Sequence, residues 1–170
     1  TSERALRGGR LPALIVRRGA VGRYQKPYCA LDLVHDDLEP WRLARALGIA
    51  DEAAARIVFA YEAGSLHKLR VDNRGVRDFE GRLNAERDAV LPSVAKAMTS
   101  LGLKPQQAEL VSIYFSAPDT VVDVATRGGA DLLIVGSHRK SAFDRVTLGS
   151  VSQGVLRRAE MDVLVVPPYA

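Results

Sequence analysis

Two short apolar runs near the C-terminus constrain the fold more than any other feature of this sequence. Leu132 to Val135 is a run that stops at Gly136, and Val163 to Val166 is a β-branched run that stops at Pro167. Both read as buried strands. Between them Gly149-Ser150 is followed by Val151, Val155, Leu156 and Ala159, whose spacing paints one face of a helix. Gly149 allows close backbone approach, and the helix start leaves unpaired N–H groups pointing back toward Gly136. Such a turn suits an anion, a phosphate in particular.

The rest of the chain supplies the other layers of an α/β fold. Tyr28 to Val34 reads as a strand, Trp41 to Leu47 as a helix and Arg56 to Tyr61 as a strand, and Glu62 to Arg77 as a long polar loop. Phe79 to Leu101 carries Leu83, Val90, Leu91, Val94, Ala95, Met98 and Leu101 at helical spacing, with Pro92 expected to kink or divide the helix. Glu109 to Phe115 reads as a strand and Asp119 to Arg127 as a helix. Strands and helices in strict alternation argue a parallel sheet with helices on both faces.

At this point the residues resemble the universal stress protein family. Its nucleotide-binding members carry G-x2-G-x9-G-[S/T] between the last two strands, and here Gly136, Arg139, Gly149 and Ser150 fall at those positions, so Arg139 replaces the second glycine. Asp131 to Gly136 and Val163 to Pro167 look like the family's fourth and fifth strands. The resemblance covers residues 28–168 as a unit. It implies an open, Rossmann-like parallel sheet of five strands in the order 3-2-1-4-5, with the ligand crevice between the carboxyl ends of the first and fourth strands.

The resemblance also implies ATP or another adenine nucleotide as ligand, bound in a stress response. Ala30, Leu31 and Asp32 on the first strand and Ala60 on the second would lie on the adenosine side, with Val135 and Gly136 as crevice floor. Gly149, Ser150 and Val151 would hold phosphates through backbone N–H groups, with His138 donating to a phosphate oxygen. Arg139 has two readings, a guanidinium paired with phosphate or a side chain filling the phosphate path. Lys140 adds a second charge. Asp32 reads equally as a cap on the following turn. After Asp32 the family commonly has a small residue and a Ser, whereas this chain has Leu33, Val34, His35, Asp36 and Asp37; the two carboxylates read as Mg²⁺ ligands or as a solvated loop. Ser116-Ala117-Pro118 stands where the family often has a Gly and then a Pro.

Residues 1–18 repeat the end of the chain. At an offset of 150, Ser2, Leu6, Arg7, Leu14 and Val16 match Ser152, Leu156, Arg157, Leu164 and Val166, with Glu3 against Gln153 and Ile15 against Val165. The repeat suggests the last helix and strand of a preceding unit, followed by a linker over residues 19–27 and the complete domain over 28–170. Alternatively, Ala13 to Val16 is an extension that adds a strand to a sheet edge or to a partner subunit. Family members without the glycine pattern act as interaction modules, paired as dimers through the last strand. The runner-up function is therefore a protein-interaction module, a homodimer or an intramolecular tandem pair.

Composition narrows the classes. No apolar run approaches a membrane span and the N-terminus lacks a signal-peptide apolar region, so a cytoplasmic protein is expected. The formal charge of +4 comes from residues 1–28, where seven Arg or Lys against Glu3 give a net of +6, while the remaining residues carry a net of −2. Tyr24 and Tyr28 are the only aromatics in residues 1–28 and make no aromatic-interleaved basic stripe, which argues against nucleic acid. Cys29, the single cysteine, reads as a small buried hydrophobe rather than a redox thiol. No catalytic or metal site is assigned: Ser150 has no orienting His and carboxylate, His35, His67 and His138 are the only histidines, and slow nucleotide hydrolysis is the most an enzyme reading allows.

Overall fold

The computed structural model describes residues 11–17, 19, 22–33, 37–64, 79–137 and 149–168, with side chains of the long helix from residue 81 onward. The elements run β1 (Ala13–Ile15), β2 (Pro27–Leu31), α1 (Glu39–Ala46), β3 (Arg56–Tyr61), α2 (Phe79–Leu101), β4 (Ala108–Ser112), α3 (Ala117–Arg127), β5 (Leu132–Gly136), α4 (Ser150–Arg158) and β6 (Asp162–Val166). One sheet holds all six strands in the order β1-β6-β5-β2-β3-β4. Strands β2 to β6 are parallel to one another, and β1 lies antiparallel on β6.

The sheet corrects the expectation of five strands ordered 3-2-1-4-5. Six strands are present, and the added one, β1, moves the edge of the sheet from β6 to the N-terminal segment. The physical reason is that β6 would otherwise present a buried apolar strand with a free row of N–H and C=O groups, and Ala13–Ile15 supplies its ladder. Residues 1–10, read as the helix before this strand, lie outside the described residues.

Alternation along each strand sends successive side chains to opposite faces. Cys29, Leu31, Ile57, Phe59, Leu132, Ile134, Leu164 and Val166 pack beneath α1 and α2 through Trp41, Ala44, Val94, Met98 and Leu101. Tyr28, Val58, Leu133, Val135, Val163 and Val165 pack beneath α3 and α4 through Val121, Val124, Val155 and Leu156. Burial, with the nearby Asp37 charge, pushes the Cys29 thiol well above its ordinary value of 9.0. It is a protonated, inaccessible core group.

Several boundaries differ from the sequence reading. The first strand ends at Leu31 rather than Val34, and the third ends at Ser112 rather than Phe115, leaving Tyr114 and Phe115 exposed before the next helix. Ser116 sets that helix start, since its Oγ accepts from the Asp119 N–H at 3.3 Å. Helix α2 runs unbroken through Pro92. Pro92 is exposed, so the carbonyl that loses its partner faces water. Leu91 and Ala95, expected in the core stripe, are exposed, because Val94, Ala97, Met98 and Leu101 form the buried face. Most of the expected loop Glu62 to Arg77 lies outside the described residues, as does His67. Among the described residues no helix is long and apolar enough to cross a membrane.

The N-terminal strand is pinned at one buried carboxylate. Asp162 accepts from the Arg17 N–H at 2.8 Å and from the Tyr24 hydroxyl at 2.6 Å. The Arg17 guanidinium also donates to the Leu156 carbonyl. Burial, and then the bond to Asp162, push the Tyr24 phenol far above its ordinary value of 10.0. Burial raises Tyr28 and Tyr61 as well. Because these raised phenols hold their protons more tightly in the folded chain than in the unfolded one, their contribution is complete below about pH 10 and declines as pH climbs beyond it. Urea midpoints are expected to fall between about pH 8 and about pH 11, with part of the tyrosinate absorbance appearing only on unfolding.

Candidate functional site

The chain order reverses between β2 and β5: from β2 it steps to β3 and β4 on one side, then returns to place β5 and β6 on the other. A crevice opens at the carboxyl ends of strands where neighbouring connections leave in opposite directions. Register sets its floor. Ala30 pairs with Val135, which places Leu31 beside Gly136, and Leu31 pairs with Phe59, which places Ala60 one step beyond.

The described site residues thus converge on one end of the sheet. Ala30, Leu31, Asp32, Ala60, Val135 and Gly136 lie at the ends of three adjacent strands, and Gly149, Ser150 and Val151 open α4 beside them. His138 and Arg139 lie outside the described residues, as do Lys140, His35 and Asp36.

The mouth of the crevice is built from close backbone approaches. A Cβ on Gly136 would stand 3.2 Å from Pro40 Cγ and 3.6 Å from Asp37 Oδ2, so a side chain there would fill the gap between β5 and the start of α1. Asp37 Oδ1 accepts the Glu39 N–H at 3.0 Å, which fastens this carboxylate to the first turn of α1. Asp32 and Asp37 are joined by an isolated antiparallel bridge. Asp37, read from sequence as a Mg²⁺ ligand or a solvated loop residue, is a half-buried part of the wall.

On the other side, α4 begins at an extended Gly149 with no acidic residue in its first turn and, among the described residues, no side-chain cap. A helix start of this kind suits an anion, and its last turn carries Arg157 and Arg158, matching the helix dipole. Ser152, fully buried, donates its hydroxyl to the Gly136 carbonyl at 2.6 Å. The Ser137 N–H donates to the Val166 carbonyl at 2.7 Å. These two bonds fix the end of β5 against both α4 and β6. Replacing Ser152 by alanine leaves the Gly136 carbonyl without that donor and is expected to cost about 1–3 kcal/mol, read as a lower urea midpoint at unchanged slope.

Sequence reasoning met Ser152 only as the counterpart of Ser2 and passed over Pro40. A serine two residues into a helix carries no signal of its own burial, and Pro40 is legible only as a helix start.

A sequence profile described as the Universal stress protein family matches residues 31–167. The chain belongs to the universal stress protein family. As a universal stress protein it is 30% identical over 98 residues to universal stress protein MJ0577 of Methanocaldococcus jannaschii, spanning 55% of this chain and 59% of that protein. A putative universal stress protein of Staphylococcus epidermidis is 26% identical over 147 residues, 84% of each chain. Among solved structures, the functionally unknown protein PA1789 of Pseudomonas aeruginosa superposes with a TM-score of 0.60 at 19% identity, covering 92% of this chain and 52% of its own. The hypothetical protein MJ0577 superposes at 0.53 and 18% identity over 86% of this chain and 99% of its own. The chain thus spans about half the length of the Pseudomonas protein. At these identities the superpositions establish the fold.

Proposed function

We propose that this universal stress protein binds an adenine nucleotide, ATP in the first place, in the crevice between β2 and β5, and acts through that ligand in a cytoplasmic stress response. The observation that carries the reading is the division of the crevice by charge. Asp32 stands at the end of β2, the α4 N-terminus, with no acidic residue in its first turn and no side-chain cap among the described residues, stands beyond the end of β5, and Asp37, bridged to Asp32, lies between them against Gly136. A ligand that suits both walls offers hydrogen-bond donors at one end and an anion at the other. A nucleoside phosphate has that polarity, with ribose hydroxyls and the adenine amine toward the carboxylates and phosphates toward Gly149, Ser150 and Val151. Gly136, without a side chain, lets Pro40 and Asp37 close up against the end of β5. Mg²⁺ would travel with the phosphates, which neutralise it without a protein cage.

Mass spectrometry of small molecules released from the purified protein tests this. Wild type is expected to carry an adenine nucleotide and Asp32→Ala to lose it. An empty wild type, together with nucleotide uptake by Arg139→Gly, would mean that Arg139 closes the phosphate path, and would assign the protein to interaction rather than nucleotide binding.

A further inference from the structure

We infer that the outer edge of β4 is a docking edge for an extended peptide segment of a partner protein, apolar on one face and acidic on the other, which joins the sheet as an added strand. The edge is separated from the crevice by β3 and shares no residue with it, so the inference is independent of the nucleotide reading. Among the described residues β4 pairs with β3 alone and ends the sheet. The Ile113 N–H donates to the Tyr61 carbonyl at 2.9 Å. Successive residues of a strand turn their N–H and C=O groups to opposite sides, so those of Leu110 and Ser112 point away from β3.

The two edges of the sheet are finished differently. β1 has three residues between Pro12 and Arg17, a proline and a charge of the kind that stop a sheet from growing. β4 has five residues, Ala108–Ser112, with no proline or lysine, and each is only half-buried. Its one charge, Glu109, shares the α3 face with Val111 by alternation and acts on the Tyr28 phenol. Leu110 packs on the core beneath α1 and α2, and Val111 on the core beneath α3 and α4. Both cores therefore run out to an edge that closes neither.

A groove of about 650 Å³ follows this edge. Tyr61, Arg87 and Leu110 line it on the α2 side, Val111 and Val124 on the α3 side, and Phe115, 82% exposed, stands at its end. A strand laid along β4 would send alternate side chains into the two halves. Backbone bonds would then supply affinity and the two halves selection. Charge sets the chemistry of the occupant. On the α3 side Arg127 is held by Asp123 at 2.9 Å and Asp119 by Arg158, so that wall is neutral. On the α2 side Arg87 forms no ion pair among the described residues, and at the Tyr61 phenol its charge outweighs that of Glu86. An apolar residue suits the α3 half and an acidic one the α2 half.

The test titrates the full chain into the dye-labelled peptide acetyl-Thr-Val-Glu-Val-Tyr-Val-Thr-amide, followed by fluorescence anisotropy, beside the same peptide with Lys in place of Glu. The Glu peptide is expected to bind, and the Lys peptide to bind about threefold or more weakly. Arg87→Glu should reverse that preference. Ser112→Pro removes an outward N–H while leaving the β3 ladder whole, and should weaken binding by about tenfold or more at unchanged circular dichroism. A fully N-methylated Glu peptide keeps the side chains, loses the ladder and is expected not to bind, whether or not Ser112→Pro folds. A wild type that does not bind the Glu peptide overturns the inference. So does equal binding of the Glu and Lys peptides, or an N-methylated peptide that binds as tightly. A particle of double mass that Ser112→Pro returns to single mass would give the edge to a second copy and overturn it as well.

Discussion

Trp41→Ala is expected to destabilise the protein by about 3–5 kcal/mol, the largest loss of any single substitution considered. Trp41 is fully buried on α1, within the cluster formed by that helix, α2 and the underside of the sheet. Alanine would leave a cavity under the helix whose first turn holds Asp37 and Pro40 against Gly136. The loss should therefore reach the crevice as well as the melting temperature. Trp41 is also the one buried side-chain donor among the described residues that lacks a hydrogen-bond partner, at its Nε1. Leaving such a donor unmet costs about 1–3 kcal/mol. Trp41→Phe removes that donor while keeping a ring, and is expected to cost less than half as much as alanine. Because Trp41 is the only tryptophan, circular dichroism rather than intrinsic fluorescence must follow both variants. Equal losses for Phe and Ala would contradict this reading of the orphan Nε1.

Gly154→Ala is the second large effect. A Cβ on Gly154 would stand 2.6 Å from both Cβ and Cγ of Pro118, at the start of α3, and 3.3 Å from Arg158 Nη1. The proline ring is held in the first turn of its helix and cannot swing away as a long side chain would. The two helices must separate instead, at an overpacking cost of about 1–3 kcal/mol, or a fall of about 3–10 °C in melting temperature for a chain of this size. The Arg158–Asp119 ion pair across the same contact is nearly half exposed and adds little to resist the shift. Moving α4 also moves Ser152, which holds the Gly136 carbonyl, so nucleotide affinity should fall with stability. Pro118→Ala in the same chain should recover part of both losses, since it removes the ring that the new methyl meets.

How much of this was legible beforehand depends on whether a feature is written along the chain or across it. Arg56 to Tyr61 and Phe79 to Leu101 agree with the observed strand and helix, because apolar periodicity is a property of the segment itself. The start of α1 was missed by two residues, since Glu39 and Pro40 precede the apolar face that marks the helix. β1 was legible as a strand, but only the paired register decided between a sheet edge and a partner subunit, and with it the count of six strands. Gly136, Gly149 and Asp32 are candidates by residue type, and the register brings them to one end of the sheet. Ser152, Pro40 and Gly154 act through contacts with distant segments, and nothing local distinguishes a serine that grips a strand end from one facing water.

The most direct test of the crevice as a nucleotide site is calorimetric titration of ATP, with and without Mg²⁺, into wild type and Gly136→Val. Valine at this position would press on Pro40 and Asp37 and push the start of α1 away from the end of β5, deforming the wall of the crevice. The expected result is one-to-one binding in wild type that weakens by about tenfold or more in Gly136→Val, with the variant still folded by circular dichroism. Binding that is unchanged by Gly136→Val would place the nucleotide elsewhere, and no binding in wild type would leave the crevice without its ligand; either result would contradict the proposed function.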